Sequence, residues 1–302
     1  MSEINSGSFA KALWPGVNAW YGKAYNDYPQ EYLQLFEKNS SSKAFEEDVG
    51  VASFGLAVVK PEGASIAYDT ERQGFTQRYQ HVVYALGFII TKEAYDDDQY
   101  EIVGKRKANG LARSIRQTKE IVGANVYNRA FNASYTYSDG VSLINSANNN
   151  VTGGTWSNTL ATASDLSEAA LEQAVIDIEG FTDDRGLLIA ARPKSLILPR
   201  QLEFEVQRIL KSDKRVGTDN NDPNVLKMLG SIPDVVVNHY LTDTDAWFIR
   251  TNVPEGMKYF ERDADSFDMD NDFDTDNAKY KARSRYSFGA SDKRGIYGSP
   301  GA

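Results

Sequence analysis

The chain has 302 residues, and 42 acids outnumber 33 bases to give a net charge of −9. That balance repels polyanions and argues against ordinary nucleic-acid binding. The absence of cysteine excludes a disulfide framework, thiolate metal sites and a cysteine nucleophile, and suits a protein assembled in a reducing cytosol.

From Met1 to Asn26 the chain is rich in Gly, Ser, Asn and Ala and carries isolated large aromatics (Phe9, Trp14, Trp20, Tyr21, Tyr25). Such a stretch is too polar to fold alone and reads as an arm lying across another surface. No basic-then-apolar signal pattern opens it. Tyr32, Leu35 and Phe36 are spaced for one face of a short helix over 28–38, which the NSSS at 39–42 ends.

Ser53–Lys60 and Ile66–Asp69 flank a Pro-Glu-Gly turn, the pattern of a hairpin. Its second limb continues through Phe75 to Thr91, alternating at first and then wholly apolar, which predicts one strand running from solvent into a buried sheet. The longest apolar run, Val82 to Ile90, is far short of the ~20 residues a membrane helix needs. The chain therefore reads as soluble and unexported, with a hairpin projecting from its body.

From about Lys92 to Phe131 the period becomes helical. Leu111, Ile115, Val122 and Val126 form one stripe, while Arg106, Arg113, Arg116, Lys119 and Arg129 occupy other faces. This predicts a long strut on a sheet, with a possible break near Gly104. Residues 132–158, rich in Asn, Ser, Gly and Thr, read as an extended loop between two lobes.

A capping box from Asp165 to Glu168 then opens a helix whose face is Leu171, Ala174, Val175 and Ile178 and whose end is Gly180. Leu187–Ala191 and Ser195–Leu198 read as strands, Pro199 starts a helix with Leu202, Val206, Ile209 and Leu210, and Asp234–Tyr240 and Ala246–Thr251 read as further strands.

Near the C-terminus, carboxylates at every second residue (Asp268, Asp270, Asp272, Asp274, Asp276) precede bases at every second residue (Lys279, Lys281, Arg283, Arg285). The first three match a calcium loop, but Phe273 stands where the sharp turn needs Gly and Lys279 where a bidentate Glu belongs. The bases share one face of a strand, with Tyr280, Ala282, Tyr286 and Phe288 on the other. Acid-on-base contact between neighbouring copies is the preferred reading, and an acidic calcium-dependent binding module is the alternative from a different class. His81 and His239 stand at no recognised triad or zinc spacing and read as structural, and no nucleotide-binding or hydrolase motif occurs.

The order of parts, with the strings VKPEGASIAYD, QGFTQRYQHVVYALGFIIT, NRAFNASYTYSDGVSL, DLSEAALEQA and YSFGASDKRGIYGS, resembles the major capsid proteins of tailed double-stranded DNA bacteriophages, the Hong Kong ninety-seven-type fold. The resemblance implies an α+β chain with an N-terminal arm (1–49), an E-loop hairpin (50–80), a peripheral domain with a spine helix (81–134), an axial α/β domain (135–255), and return strands to the peripheral domain (256–302). It further implies a non-enzymatic shell protein of the virion, without cofactor or metal. Such a protein assembles in the host bacterial cytoplasm as pentamers and hexamers of itself, around DNA bound without sequence preference and with no membrane contact. Expected partners are a scaffolding protein, a portal and a decoration protein, the scaffold being separate because no long charged helical N-terminal region is seen. A nanocompartment shell of encapsulin type is the nearest alternative. Contacts between subunits are expected at Trp14 and Trp20 of the arm, Lys60, Glu62 and Arg72 of the hairpin, Arg106 and Arg113 of the helix, and Asp270, Asp272, Lys281 and Arg283 of the terminal strands.

Overall fold

The computed structural model describes residues 7–91, 93, 100–215, 222–271 and 277–302. The first departure from the sequence reading is that most of the supposed arm is a helix, α1 (Gly7–Asp27). Val17, Tyr21 and Ala24 fall on one face and are buried against Leu111, Ala112 and Ile115 of the spine helix and Tyr280 and Ala282 of the sheet beneath. Tertiary burial thus overrides a composition that includes Pro15 and Gly16, residues that disfavour an isolated helix.

After α2 (Tyr32–Leu35), whose Tyr32 and Leu35 are buried as the spacing predicts, the chain enters β1 (Glu37–Ser40) instead of stopping at the serines. β2 (Phe45–Ala52) and β3 (Arg72–Gln80) then form the hairpin, registered from Phe45↔Gln80 to Ala52↔Arg72. The expected Pro-Glu-Gly turn is present, with Gly63 at φ +76° and the Ala64 amide donating to the Pro61 carbonyl. The paired rungs, however, lie nearer the body than 53–60 and 66–69, which carry no ladder. A lone two-stranded ribbon is marginal in water, and among the described residues nothing in the chain packs on this tip.

The single strand expected over 75–91 is split at His81, with β3 in the hairpin and β4 (Val82–Ile90) in a separate sheet. His81 is held at the break by Ser287 and Ser41 (2.9 and 3.1 Å from its two ring nitrogens), a structural role as expected. Nor is β4 buried as its apolar run suggested. Val82, Val83, Leu86 and Ile89 remain 44–49% exposed, because β4 is the edge of its sheet.

The spine is α3 (Tyr100–Asn128), unbroken at Gly104. Leu111 and Ile115 are buried, but so are Arg116 and Lys119, which the stripe had placed outside. The reason is α1, which covers that flank. Lys119 Nζ lies 2.6 Å from Asp265 Oδ2, Tyr25 Oη donates to the same oxygen, and the Arg116 guanidinium stacks over the Tyr25 ring.

Residues 132–158 form no extended loop. Leu143 and Ile144 enter the core, Asn158 bonds four backbone groups of two segments, and β5 (Asn148–Asn149) and β6 (Thr155–Trp156) make a small hairpin closed by Gly153 and Gly154 at positive φ. α4 (Glu168–Glu179) is capped by Ser167, whose Oγ accepts from the Ala170 amide; Asp165, the predicted cap, instead accepts from the Ala302 amide. β7 (Pro193–Pro199) forms as expected, but Leu187–Ala191 contributes only an isolated bridge at Leu188. α5 (Glu203–Lys211), α6 (Val225–Leu229), β8 (Asp234–Asn238) and β9 (Trp247–Thr251) follow.

The chain closes with β10 (Met257–Asn271), β11 (Ala278–Ala290) and β12 (Ile296–Ser299). One sheet has the order β1-β10-β11-β4 and the other β12-β9-β7-β8. The C-terminal segment therefore does not stay with the peripheral strands: β12 crosses back to pair with β9. A core containing Tyr127, Leu143, Ile144, Ile197, Phe248, Tyr259 and Ile296 joins the two sheets. Gly298 is fixed by the crowding there, since a Cβ would sit 2.9–3.0 Å from Ile144 and Phe248.

Candidate assembly surface

The alternating acids and bases meet each other inside one subunit. β10 and β11 are antiparallel, with Asp268 opposite Lys281, Asp270 opposite Lys279 and Asp263 opposite Arg285, while Arg283 lies opposite Ser266 and approaches Asp263 at 3.9 Å. Period-2 alternation puts both charged rows on one face, where cross-strand opposite charges stabilise the pair. Each row thus already faces counter-charge within the subunit, before any neighbouring copy is met. Asp272, with Asp274 and Asp276, lies outside the described residues. The opposite face of β11 packs as predicted, with Tyr280, Ala282 and Tyr286 buried.

The hairpin tip is an apolar surface left uncovered. Leu56, Val58, Val59, Ile66 and Tyr68 are 63–94% exposed, and Phe54 is half exposed. One tie between its neck and the body, at Asp69, was not signalled by the sequence. Asp69 Oδ2 accepts from Arg185 (2.7 Å) and from the Gly55 amide (2.8 Å), and a second Arg185 nitrogen donates to the Thr70 carbonyl. These donors hold the Asp69 carboxyl below its usual range, the backbone amides of Gly55 and Thr70 foremost.

Lys60, Glu62 and Arg72 are exposed along this hairpin, and Arg106 and Arg113 are exposed on α3. Trp14 lies in α1 and Trp20, half-buried, packs toward the α1–α3 junction, so the two tryptophans belong to a docked helix. At the neck, a cleft of about 830 Å³ opens between β2 and the loops carrying Asp184, Glu255 and Asp292. Its acids are met by bases: Lys258 bridges Asp48 and Glu255, and Arg294 bridges Asp184 and Asp292.

His239, the second structural histidine, bonds Glu31 through Nδ1 at 2.7 Å. Among the described residues no group of three His, Cys, Asp or Glu could hold a metal, and no helix is long and apolar enough to cross a membrane.

Two sheets joined by a shared core, a spine helix and an uncovered hairpin are the parts of a shell subunit, and the family of phage capsid proteins matches residues 74–299. The chain belongs to that family. No curated protein matches. Solved structures show the fold, which is the Hong Kong ninety-seven type. The capsid of an empty GTA particle is similar at TM-score 0.56 and 12% identity, covering 89% of each chain. The capsid of Myoviridae phage XM1 is similar at TM-score 0.53 and 11% identity over 91% of this chain and 92% of that one. A virus-like particle from Pyrococcus furiosus is similar at TM-score 0.52 and 10% identity over 93% and 96%. The family match is what disfavours the encapsulin-type alternative. The protein is a major capsid shell protein, a structural component of a virion.

Proposed function

We propose that this capsid protein tiles an icosahedral shell as pentamers and hexamers around phage double-stranded DNA, with no catalytic role. Its segments act as arm (1–49), E-loop (50–80), peripheral domain (81–134 with β10 and β11) and axial domain (135–255 with β12 added to its sheet). The uncovered hairpin carries this reading. Full burial of a large apolar side chain contributes about 1.5–3 kcal/mol, so covering the six exposed tip residues from Phe54 to Tyr68 contributes on the order of 10 kcal/mol that one subunit forgoes. Neighbouring subunits are the surface that supplies it, as in obligate assemblies.

Lys60, Glu62 and Arg72 then orient the hairpin on its neighbour, Arg106 and Arg113 present a basic helix face, and the N-terminal helix that carries Trp14 and Trp20 meets a neighbouring copy. Assembly proceeds in the host bacterial cytoplasm on a separate scaffolding protein, with a portal and a decoration protein as further partners. DNA enclosed by such a wall needs no attraction from it, which fits the net charge of −9. Electron microscopy of the protein coexpressed with its scaffold shows closed polyhedra on this reading; a persistent monodisperse monomer overturns it.

A further inference from the structure

β4 is an unguarded sheet edge. It pairs with β11 in unbroken register from Val82↔Tyr286 to Ile90↔Ala278, and no strand among the described residues takes its other side. Exposed edges in soluble proteins are normally blunted by charge, proline or a bulge. VVYALGFII has no charge or proline, and its ladder has no bulge. Among the described residues Lys107 intervenes, reaching from α3 to donate to the Ile89 carbonyl at 2.7 Å.

The strand also reads alike in both directions. Folded about Leu86, Val82 meets Ile90, Val83 meets Ile89, Tyr84 meets Phe88 and Ala85 meets Gly87. β-branched side chains face β-branched ones, a ring faces a ring, and the two smallest residues face each other. An antiparallel pair of identical strands has this symmetry and no other, since a twofold axis places residue 86 + n opposite 86 − n.

From this we infer that β4 pairs antiparallel with β4 of a second copy about a twofold axis at Leu86, joining two four-stranded sheets into one of eight. The inference rests on the shell reading, and it names one joint within that shell. The pair extends rows already present in the subunit. Tyr84 stacks on Tyr286 and Phe88 on Tyr280, at 4.7 and 4.9 Å between centroids. In the joint each row meets the other: Tyr84 of one copy lies beside Phe88 of the second. The half-exposed Val82, Val83, Leu86 and Ile89 are covered by their own counterparts. Lys107 is exposed and its long side chain can yield the Ile89 carbonyl to an incoming amide.

Nine residues a side fall well short of the roughly 20–30 of a stable interface. The joint is therefore a contact made inside the particle and not a dimer that persists in dilute solution, which fixes where it must be tested. The natural chain has no cysteine, so a single introduced thiol reports without background. In the proposed register the two copies of residue 86 have Cα atoms about 4.5–5.5 Å apart, inside the range a disulfide spans. Two copies of residue 83 lie six residues apart along the strand, on the order of 20 Å, and cannot be bridged.

Particles of Leu86→Cys, mildly oxidised and run on a non-reducing gel, should give a disulfide dimer at least several-fold more abundant than particles of Val83→Cys. Mixed particles of Val83→Cys and Ile89→Cys chains should give the dimer that Val83→Cys alone does not, and they serve if Leu86→Cys fails to assemble. Particles that form without either crosslink, or in which Val83→Cys alone dimerises equally well, overturn the pair and indicate that another segment, such as a neighbour's hairpin, covers the edge. A parent chain that forms no particles counts instead against the shell reading.

Discussion

Replacing Lys293 by methionine should be among the most damaging single changes outside the apolar core. Lys293 is 7% exposed, and its ammonium sits 2.5 Å from Asp139 Oδ1, 2.7 Å from the Ser142 carbonyl, 3.1 Å from the Val141 carbonyl and 3.3 Å from Asn148 Oδ1. Burial pushes the lysine pKa down and Asp139 opposes that shift. One side chain near the C-terminus thereby organises the whole turn-rich segment from 139 to 148. Methionine fills a similar volume but strands the Asp139 carboxylate, itself 5% exposed, together with the Ser142 carbonyl. Breaking a buried ion pair from one side costs about 3–5 kcal/mol, a large fraction of the 5–15 kcal/mol typical of a folded chain. The assay is urea unfolding of the unassembled protein followed by tryptophan fluorescence, with Asp139→Asn and the double variant alongside. Neutralising both partners removes the stranded charge, so the double variant should be more stable than the sum of the singles by roughly 1–3 kcal/mol. A Lys293→Met chain within about 1 kcal/mol of the parent, or strictly additive singles, refutes the reasoning.

Glu120 of α3 is buried and caps α2, accepting from the Glu31 and Tyr32 amides at 3.1 and 2.9 Å; burial pushes its carboxyl up to about 7. A raised carboxyl pKa means the folded chain holds the proton more tightly, so this group's contribution is complete below pH ~4.5 and is lost as the pH rises through about 7. Relative to Glu120→Gln, the parent should therefore lose up to about 3 kcal/mol between pH 5 and pH 8, and parallel unfolding profiles would refute it. Lys281→Glu sets like charges opposite at Asp268 and should lower the stability of the unassembled chain by about 0.2–1 kcal/mol, restored by Asp268→Lys on the same chain. Unchanged chain stability with impaired assembly would return the charge rows to a contact between subunits.

The sequence determined most of the local structure. The spacing of Leu111 and Ile115 gave the spine helix, that of Leu171, Ala174 and Ile178 the axial helix, and the Pro-Glu-Gly turn the projecting hairpin, because these follow from periods and turn chemistry that a few neighbouring residues decide. It also determined the two faces of β11, since alternation needs no partner to be read. Only the tertiary structure decided what each face meets. Residues 7–27 became a helix because α3 and the sheet cover Val17 and Tyr21, and that same cover buries Arg116 and Lys119, which a stripe count puts in water. Register decided that the acids and bases answer each other within one hairpin, and strand order left the most apolar run in the chain at an exposed edge. Burial and pairing are relations between segments far apart in sequence, so a local pattern can fix the shape of an element while leaving open which side of it faces solvent.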